Sequence, residues 1–284
     1  MSTQTTRRGF LGVAAGIAGM ATAGAPPASA RIEPTPWGIK LGVASYSLRK
    51  FSRPDAIKMI HAIQTPWASL KDMHMPFTYT PEQLKAAHAE YEAAGIKITS
   101  AGNTDMTKYK TIEEMRRPFE YAKNAGIPML VCAPTHDNVK LMEACVKEYN
   151  IPCAIHNHGP EDKNFPTPQS VLEVVRGLDP RCGLCMDIGH SARAGVDILK
   201  AVADAGSRLL DVHVKDLRDI VPPKAQQVDV GDGDLPFPAL FKQLKKMNYQ
   251  GCVNLEYEIK ADDPLPGMQR SFSYMRGVLA GLAA

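Results

Sequence analysis

The chain of 284 residues has no run of basic residues and no low-complexity tract, and Lys+Arg exceed Asp+Glu only by 33 to 30. A polyanionic partner such as nucleic acid therefore finds no basic tract to engage. Also missing is a glycine-rich phosphate loop after the first apolar run. Ala44-Ser45-Tyr46-Ser47 stands in that place, which argues against an open dinucleotide-binding sheet. A redox pair or zinc knuckle is absent too. Cys182-Gly-Leu-Cys185 matches C-x-x-C only formally, because residues three apart on a strand point to opposite faces. An even count of six cysteines permits disulfides in an exported protein. Most of them fall in or beside apolar strand-like runs, so buried free thiols are expected.

No apolar stretch reaches the roughly 20 residues of a spanning helix. The nearest candidate, Val13 to Ala23, belongs to a different device. Arg7 and Arg8 precede Gly9-Phe10-Leu11, the apolar stretch follows, and Ala28-Ser29-Ala30 closes it as a small-residue cleavage site. That order predicts a signal peptide of the twin-arginine type over residues 1–30, and export to the periplasm, with no stable membrane insertion once the signal is removed. A retained anchor is the competing reading. Removing 30 of 284 residues leaves 254, and removing the two arginines leaves 31 basic against 30 acidic side chains, a net charge of +1.

From Ile39 onward, short β-rich runs alternate with amphipathic stretches. The runs are 40–46, 68–74, 97–103, 129–134, 153–158, 183–189, 209–215 and 252–256. The expected helices are 54–63, 81–94, 112–125, 139–149, 168–177, 198–205, 237–247 and 269–282. Thr80-Pro81 and Thr167-Pro168 mark helix starts, and Gly95 and Gly126 mark stops. Gly231-Asp232-Gly233-Asp234 reads as a turn feeding the next helix, with Asp234 as a candidate cap. Eight strand–helix units of about 30 residues, in a chain of about 250 with no second composition zone, predict a single-domain α/β fold, a (β/α)8 TIM barrel over residues 31–284.

Such barrels carry their chemistry at the C-terminal strand ends. Here those ends read Lys71-Asp72-Met73-His74, His156-Asn157-His158, Asp187-Ile188-Gly189-His190, His213-Val214-Lys215-Asp216 and Glu256-Tyr257-Glu258. His, Asp and Glu inside a barrel cost several kcal/mol unless paired or ligated. One inward-pointing ligand from each of four adjacent strands gives His156, Asp187, His213 and Glu256, a set suited to one divalent ion such as Mn2+, Mg2+, Co2+ or Zn2+.

The stretches IHNHGPED, CMDIGHSARAGVD, DVHVKD and VNLEYE resemble the sugar phosphate isomerase/epimerase-like group of xylose-isomerase-type TIM barrels, over essentially the whole mature chain and nearest to an exported branch. The resemblance implies a metal-dependent sugar isomerase, epimerase or lyase. It carries Asp187, His213 and Glu256 over as metal ligands and His190 as a substrate contact. The group's first glutamate is replaced by His156, with His158 and Glu161 as neighbouring alternatives for that ligand. In the group's ketose epimerases the two glutamates also form the acid–base pair, so the departure favours chemistry needing one strong base. That chemistry is proton removal beside a polarised ketone followed by loss of a β leaving group, as in dehydration of keto-inositols or elimination from 3-keto-glycosides. Glu256 is the expected base. His158, His190 and Lys215 are candidate acids, and Lys71, His74, His190 and Glu161 are expected substrate contacts. His136 is expected to border the pocket or cap a helix. The expected partner is a small carbohydrate; self-association into a homo-oligomer stays open. An ordinary ketose isomerase or epimerase, an abasic-site endonuclease and an inactive sugar-binding barrel are the competing readings.

Overall fold

In the computed structural model, which describes residues 35–284, eight parallel strands close into a barrel. The predicted signal segment lies outside the described residues. The barrel strands are β1 (Lys40–Ala44), β2 (Trp67–Leu70), β3 (Lys97–Asp105), β4 (Leu130–Ala133), β5 (Cys153–His156), β6 (Cys182–Asp187), β7 (Leu209–Val214) and β10 (Cys252–Leu255). Around the ring the order is β1-β10-β7-β6-β5-β4-β3-β2. Helices α1 (Arg53–Ala62), α2 (Pro81–Ala93), α3 (Ile112–Ala125), α4 (Val139–Tyr149), α5 (Pro168–Val175), α7 (Ile198–Ala205), α8 (Phe237–Lys246) and α9 (Leu265–Ala283) connect or follow them. No helix among the described residues is long and apolar enough to cross a membrane.

The helix starts follow from local chemistry. Thr80, Thr111 and Thr167 each accept the third backbone N–H of their helix, and the side chain of Gln83, Glu114 or Ser170 answers to the cap. Each such cap contributes about 1 kcal/mol. Gly126 at φ +66° ends α3 in the left-handed conformation, which a Cβ would disfavour.

The main apolar core lies between sheet and helices, and a smaller cluster of Val131, Ala154 and Cys185 fills the barrel interior. Cys182 belongs to the first and Cys185 to the second, so the formal C-x-x-C pair does face opposite ways. All six cysteines are free and buried.

Three differences from the sequence reading shape the rim. The second and fifth barrel strands stop early, at Leu70 and His156, while β3 runs on to Asp105. A short helix, α6 (Ile188–Arg193), starts directly at the end of β6, with Asp187 as its cap. An antiparallel hairpin, β8 (Asp216–Val221) and β9 (Lys224–Val228), is inserted after β7. The hairpin was not expected, because its strands are short, polar and largely exposed and so show no apolar face.

The Gly231–Asp234 turn is present, but Asp234 is not the cap. Pro236 precedes α8 and no side chain caps it. Instead the turn wraps the buried Asp216 carboxylate, which accepts backbone N–H groups from Gly231 (2.9 Å), Gly233 (3.1 Å), Leu235 (3.2 Å) and Leu217 (2.9 Å). A Cβ on residue 233 would lie 2.3 Å from that carboxylate, so glycine is required there.

Candidate metal centre

Strand alternation turns His156, Asp187 and His213 toward the barrel axis at the C-terminal ends of β5, β6 and β7. Glu256 follows β10, its N–H held 2.9 Å from the Val214 carbonyl. Asp187 pairs with His213 in register, and His213 with Asn254. One donor atom from each of His156, Asp187, His213 and Glu256 lies within 4.8 Å of the others. Of this set, both ring nitrogens of His156 and His213 and Asp187 Oδ2 are buried without a hydrogen-bond partner. Desolvating that many polar atoms unpaired would cost several kcal/mol, and a divalent cation would relieve much of it by taking one nitrogen from each ring and Asp187 Oδ2. The residues therefore fit a metal: His156, Asp187, His213 and Glu256 would hold it. The buried Cys185 thiol also lies within ligand distance of the two imidazoles, although burial pushes it up to about 12.

Charges around the centre are interlocked. Lys215 Nζ stands 2.6 Å from Glu258, 3.0 Å from Glu256 and 3.2 Å from Asp187, the last at an angle outside hydrogen bonding. Burial alone would discharge this ammonium, but the three carboxylates hold it well above the usual lysine range. Burial would likewise raise Glu256 and Asp187, yet Lys215 keeps both carboxyls well below the usual range, helped by His213 and His190 respectively. Burial keeps His156 below the usual imidazole range, so it stays neutral and able to ligate. His190 is pushed down to about 4, chiefly by burial. Gly189 makes room for Lys215, since a Cβ there would lie 2.4 Å from its Cγ.

Supporting side chains set these groups in place. Asn157 accepts the Asp187 N–H (3.0 Å) and donates to the Asp187 carbonyl (3.2 Å), where Ser191 Oγ also donates (2.6 Å). Asp187 Oδ1 accepts the His190 N–H at 2.8 Å, which leaves Oδ2 turned to the centre. Below, Asn254 donates to the fully buried Asp211 at 2.8 Å, and Ser100 lies beneath the same carboxylate.

Above the centre opens a cavity of about 630 Å3, lined among others by Tyr46, Lys71, Asn103, Asp105, His158, Glu161, His190, Glu256 and Glu258. This size is typical of small-molecule sites. The structure thus brings His158, His190, Glu161 and Lys71 to the cavity and His156 to the ligand cluster. Glu161 is tied to Arg193. His74 is a correction: it is fully buried, its Nδ1 2.9 Å from Ser45 Oγ, and it does not line the cavity. Ser45 also accepts the Lys71 N–H at 2.7 Å, so His74 braces the loop that carries Lys71. His136 sits outside the cavity lining, its Nε2 2.9 Å from the Asn164 carbonyl.

Tyr46, Asn103, Asp105, Thr107 and Glu258 line the cavity without having been singled out as site residues. The alternation of Glu258 with Glu256 was a usable signal. Asp105 is hidden because the expected strand ends at 103, whereas Asn103 stands at that expected end and is passed over because it is neither acidic nor an imidazole. Glu258 also adds a carboxylate beside Glu256: the position matched to the group's first glutamate holds histidine, while Asp105, Glu161 and Asp162 line other parts of the cavity.

The match to known proteins agrees with this architecture. Residues 56–278 match the xylose isomerase-like TIM barrel family, and the chain belongs to it. Among curated relatives, inosose dehydratase of Mesomycoplasma hyopneumoniae is 29% identical over 153 residues, 47% of this chain and 50% of that protein. The 3-dehydro-D-guloside 4-epimerase of Escherichia coli is 35% identical over 80 residues, 28% of each chain. The matched stretch spans about half the length of the first of these relatives. Among solved structures, the IolI protein with a bound zinc atom superposes with a TM-score of 0.71 at 15% identity, covering 86% of this chain and 99% of that one. The 3-keto-D-glucoside 4-epimerase of E. coli gives 0.68 at 17% identity, covering 84% and 99%. At such identities the structural likeness speaks for the fold alone.

Proposed function

We propose that the chain is a metal-dependent lyase or hydratase acting on 3-keto-glycosides or related keto-sugars. The observation that carries this reading is the cluster of unpartnered buried donors beneath a cavity of polar side chains. A relative named for dehydration of a keto-inositol and another named for epimerising a 3-dehydro-guloside support the substrate class.

A bound divalent ion would supply Lewis acidity to the substrate ketone. Glu256, kept ionised by Lys215, takes the proton from the carbon beside that ketone. The C–O bond at the β-carbon then breaks, and the departing oxygen takes its proton from His158, which lines the cavity, or from Lys215 beside Glu256, while His190 contributes a hydrogen bond. One base suffices for this sequence, whereas inversion by two carboxylates needs one on each face of the sugar. Glu256 and Glu258 approach from one strand end, which favours elimination; it is also the one feature that keeps a carboxylate-pair epimerase as the second reading.

The test is incubation of metal-loaded protein with a 3-keto-glucoside. Release of the aglycone with a 2-hydroxyglycal-type product is expected, and fructose should barely be epimerised. Efficient epimerisation of free ketoses without turnover of the keto-glycoside would return the chain to the isomerase/epimerase class. The exported location is part of the proposal. Arg7→Lys with Arg8→Lys should leave precursor in the cytoplasm, and export at the wild-type level would reject the twin-arginine reading.

A further inference from the structure

We propose that Arg193 is a positioning residue that fixes the ring tautomer of His190, so that this imidazole presents an Nε2–H donor to a substrate oxygen in the cavity. His190 lines the cavity. Its Nδ1 lies 3.3 Å from Arg193 Nη1, the one hydrogen-bond partner of this ring among the described residues. A guanidinium carries N–H donors and no acceptor. Nδ1 must therefore receive that hydrogen bond through its lone pair, and the ring proton is carried by Nε2.

The surroundings commit the Nδ1 edge to the protein. A Cβ at Gly159, which sits at φ +87°, would lie 3.0 Å from Nδ1, so the loop backbone closes over that edge. The His190 ring stands edge-on to His158 at 4.9 Å between centroids. That leaves Nε2 without a protein partner among the described residues, beside the candidate proton donor His158.

Arg193 itself is held from two other elements. Its Nη2 donates to the Glu161 carboxylate on the loop after β5, and its Nε donates to the Pro223 carbonyl at the tip of the β8–β9 hairpin, at 3.2 Å. The planar fork can satisfy three directions at once, which a lysine ammonium on a flexible stem does less well. The inserted hairpin thereby gains a role, since its tip fixes the guanidinium that orients His190. The importance of the Nε2–H for turnover rests on the keto-sugar reading above; the tautomer does not.

The experiment is long-range 1H–15N correlation of histidine-labelled, zinc-loaded protein, with the His190 ring assigned by its loss in His190→Asn. A pyridine-like Nδ1 and a pyrrole-like Nε2 are expected in the wild type. Arg193→Leu should shift the His190 ring toward the Nδ1–H or a fast-averaged pattern. Arg193→Lys, which keeps a donor, should retain part of the wild-type pattern and guards against a fold defect in the leucine variant. With the 3-keto-glucoside, Arg193→Leu should lower kcat about 10–100-fold, the usual range for loss of a histidine-orienting partner, with metal content and melting temperature little changed. A wild-type ring protonated on Nδ1, or His190 shifts identical in all three proteins, would overturn the assignment. Wild-type protein with the expected tautomer but no turnover of any keto-sugar would instead overturn the proposed function and leave the tautomer standing.

Discussion

Strands β5, β6 and β7 close the barrel mouth with His156, Asp187, His213 and Lys215, all at most 4% exposed. Across the mouth, β1, β2 and β3 end near Tyr46, Lys71, Asn103 and Asp105, which are half-buried or exposed. On the first wall, donors lack partners or are crossed by several charges. On the second, Asn103 Oδ1 alone is buried without a partner, and other groups are served by ordinary protein contacts, as where Lys71 donates to the Asn103 carbonyl. Groups whose unmet demand is large and buried define where a cation must sit. Groups already satisfied at the surface can shape a substrate's fit, but they do not fix the chemistry.

Breaking the first wall should have the largest effect. Asp187→Ala and His213→Ala each delete a donor and leave neighbouring charges uncompensated. Metal content by elemental analysis should fall from near one ion per chain to near zero. Turnover should drop to background, while Lys215 keeps Glu256 and Glu258 as partners in Asp187→Ala. Full metal retention in both variants would move the centre elsewhere.

His156→Glu sharpens the comparison rather than breaking it. The exchange turns a set with two imidazoles into one with a single imidazole and three carboxylates. Binding preference should shift from Zn2+ or Co2+ toward Mn2+ and Mg2+ by about tenfold or more in competition. Elimination should weaken relative to ketose epimerisation. An unchanged metal ranking would show that His156 does not touch the ion.

Asp211 lies on the same wall, one layer below. Burial raises its carboxyl to about 6. The unfolded chain ionises it near the ordinary value of about 4. Its contribution to stability is therefore fully present below about pH 4, is lost as pH rises through about 6, and stays lost above. The loss is on the order of 3 kcal/mol. Asp211→Asn should flatten this part of the stability–pH profile, as measured by urea denaturation from pH 4 to 8. Parallel profiles for the two proteins would refute the buried-acid account.

The first wall was legible in the sequence because polar residues at interior strand ends violate the barrel's apolar pattern. Alternation, taken with one inward ligand from each of four adjacent strands, then points to His156, Asp187, His213 and Glu256, with His158 and Glu161 left as alternatives to His156. Most of the second wall was not. Asp105 sits where β3 extends past its expected end at Asn103, in a polar run that reads equally well as loop. His74 shows the opposite failure. It looks like a rim residue by position, but the chain turns after Leu70 and packs it against Ser45. The hairpin was invisible because its strands bury little, and Arg193 because its role depends on two partners distant in sequence, Glu161 and Pro223.

The smallest effect belongs to the second wall. Lys71 is about one-quarter exposed, donates to a backbone carbonyl and has Asp72 at 3.7 Å. Removing a charge from such a place changes folding stability by about 0.5 kcal/mol or less, since neither partner is left buried and unpaired. Lys71→Met and Asp105→Asn should therefore keep metal content and melting temperature. Lys71→Met removes a hydrogen-bonding group and Asp105→Asn turns a charged acceptor into a neutral amide facing a hydroxyl-rich ligand, each worth about 0.5–1.5 kcal/mol, so KM for the keto-glycoside should rise about 2–10-fold while kcat moves less. The split is the informative quantity. If kcat fell as far in Lys71→Met as in Arg193→Leu, the ammonium would act on the reacting atoms. The division between a wall that performs the chemistry and a wall that holds the sugar would then have to be redrawn, with Lys71 on the first side.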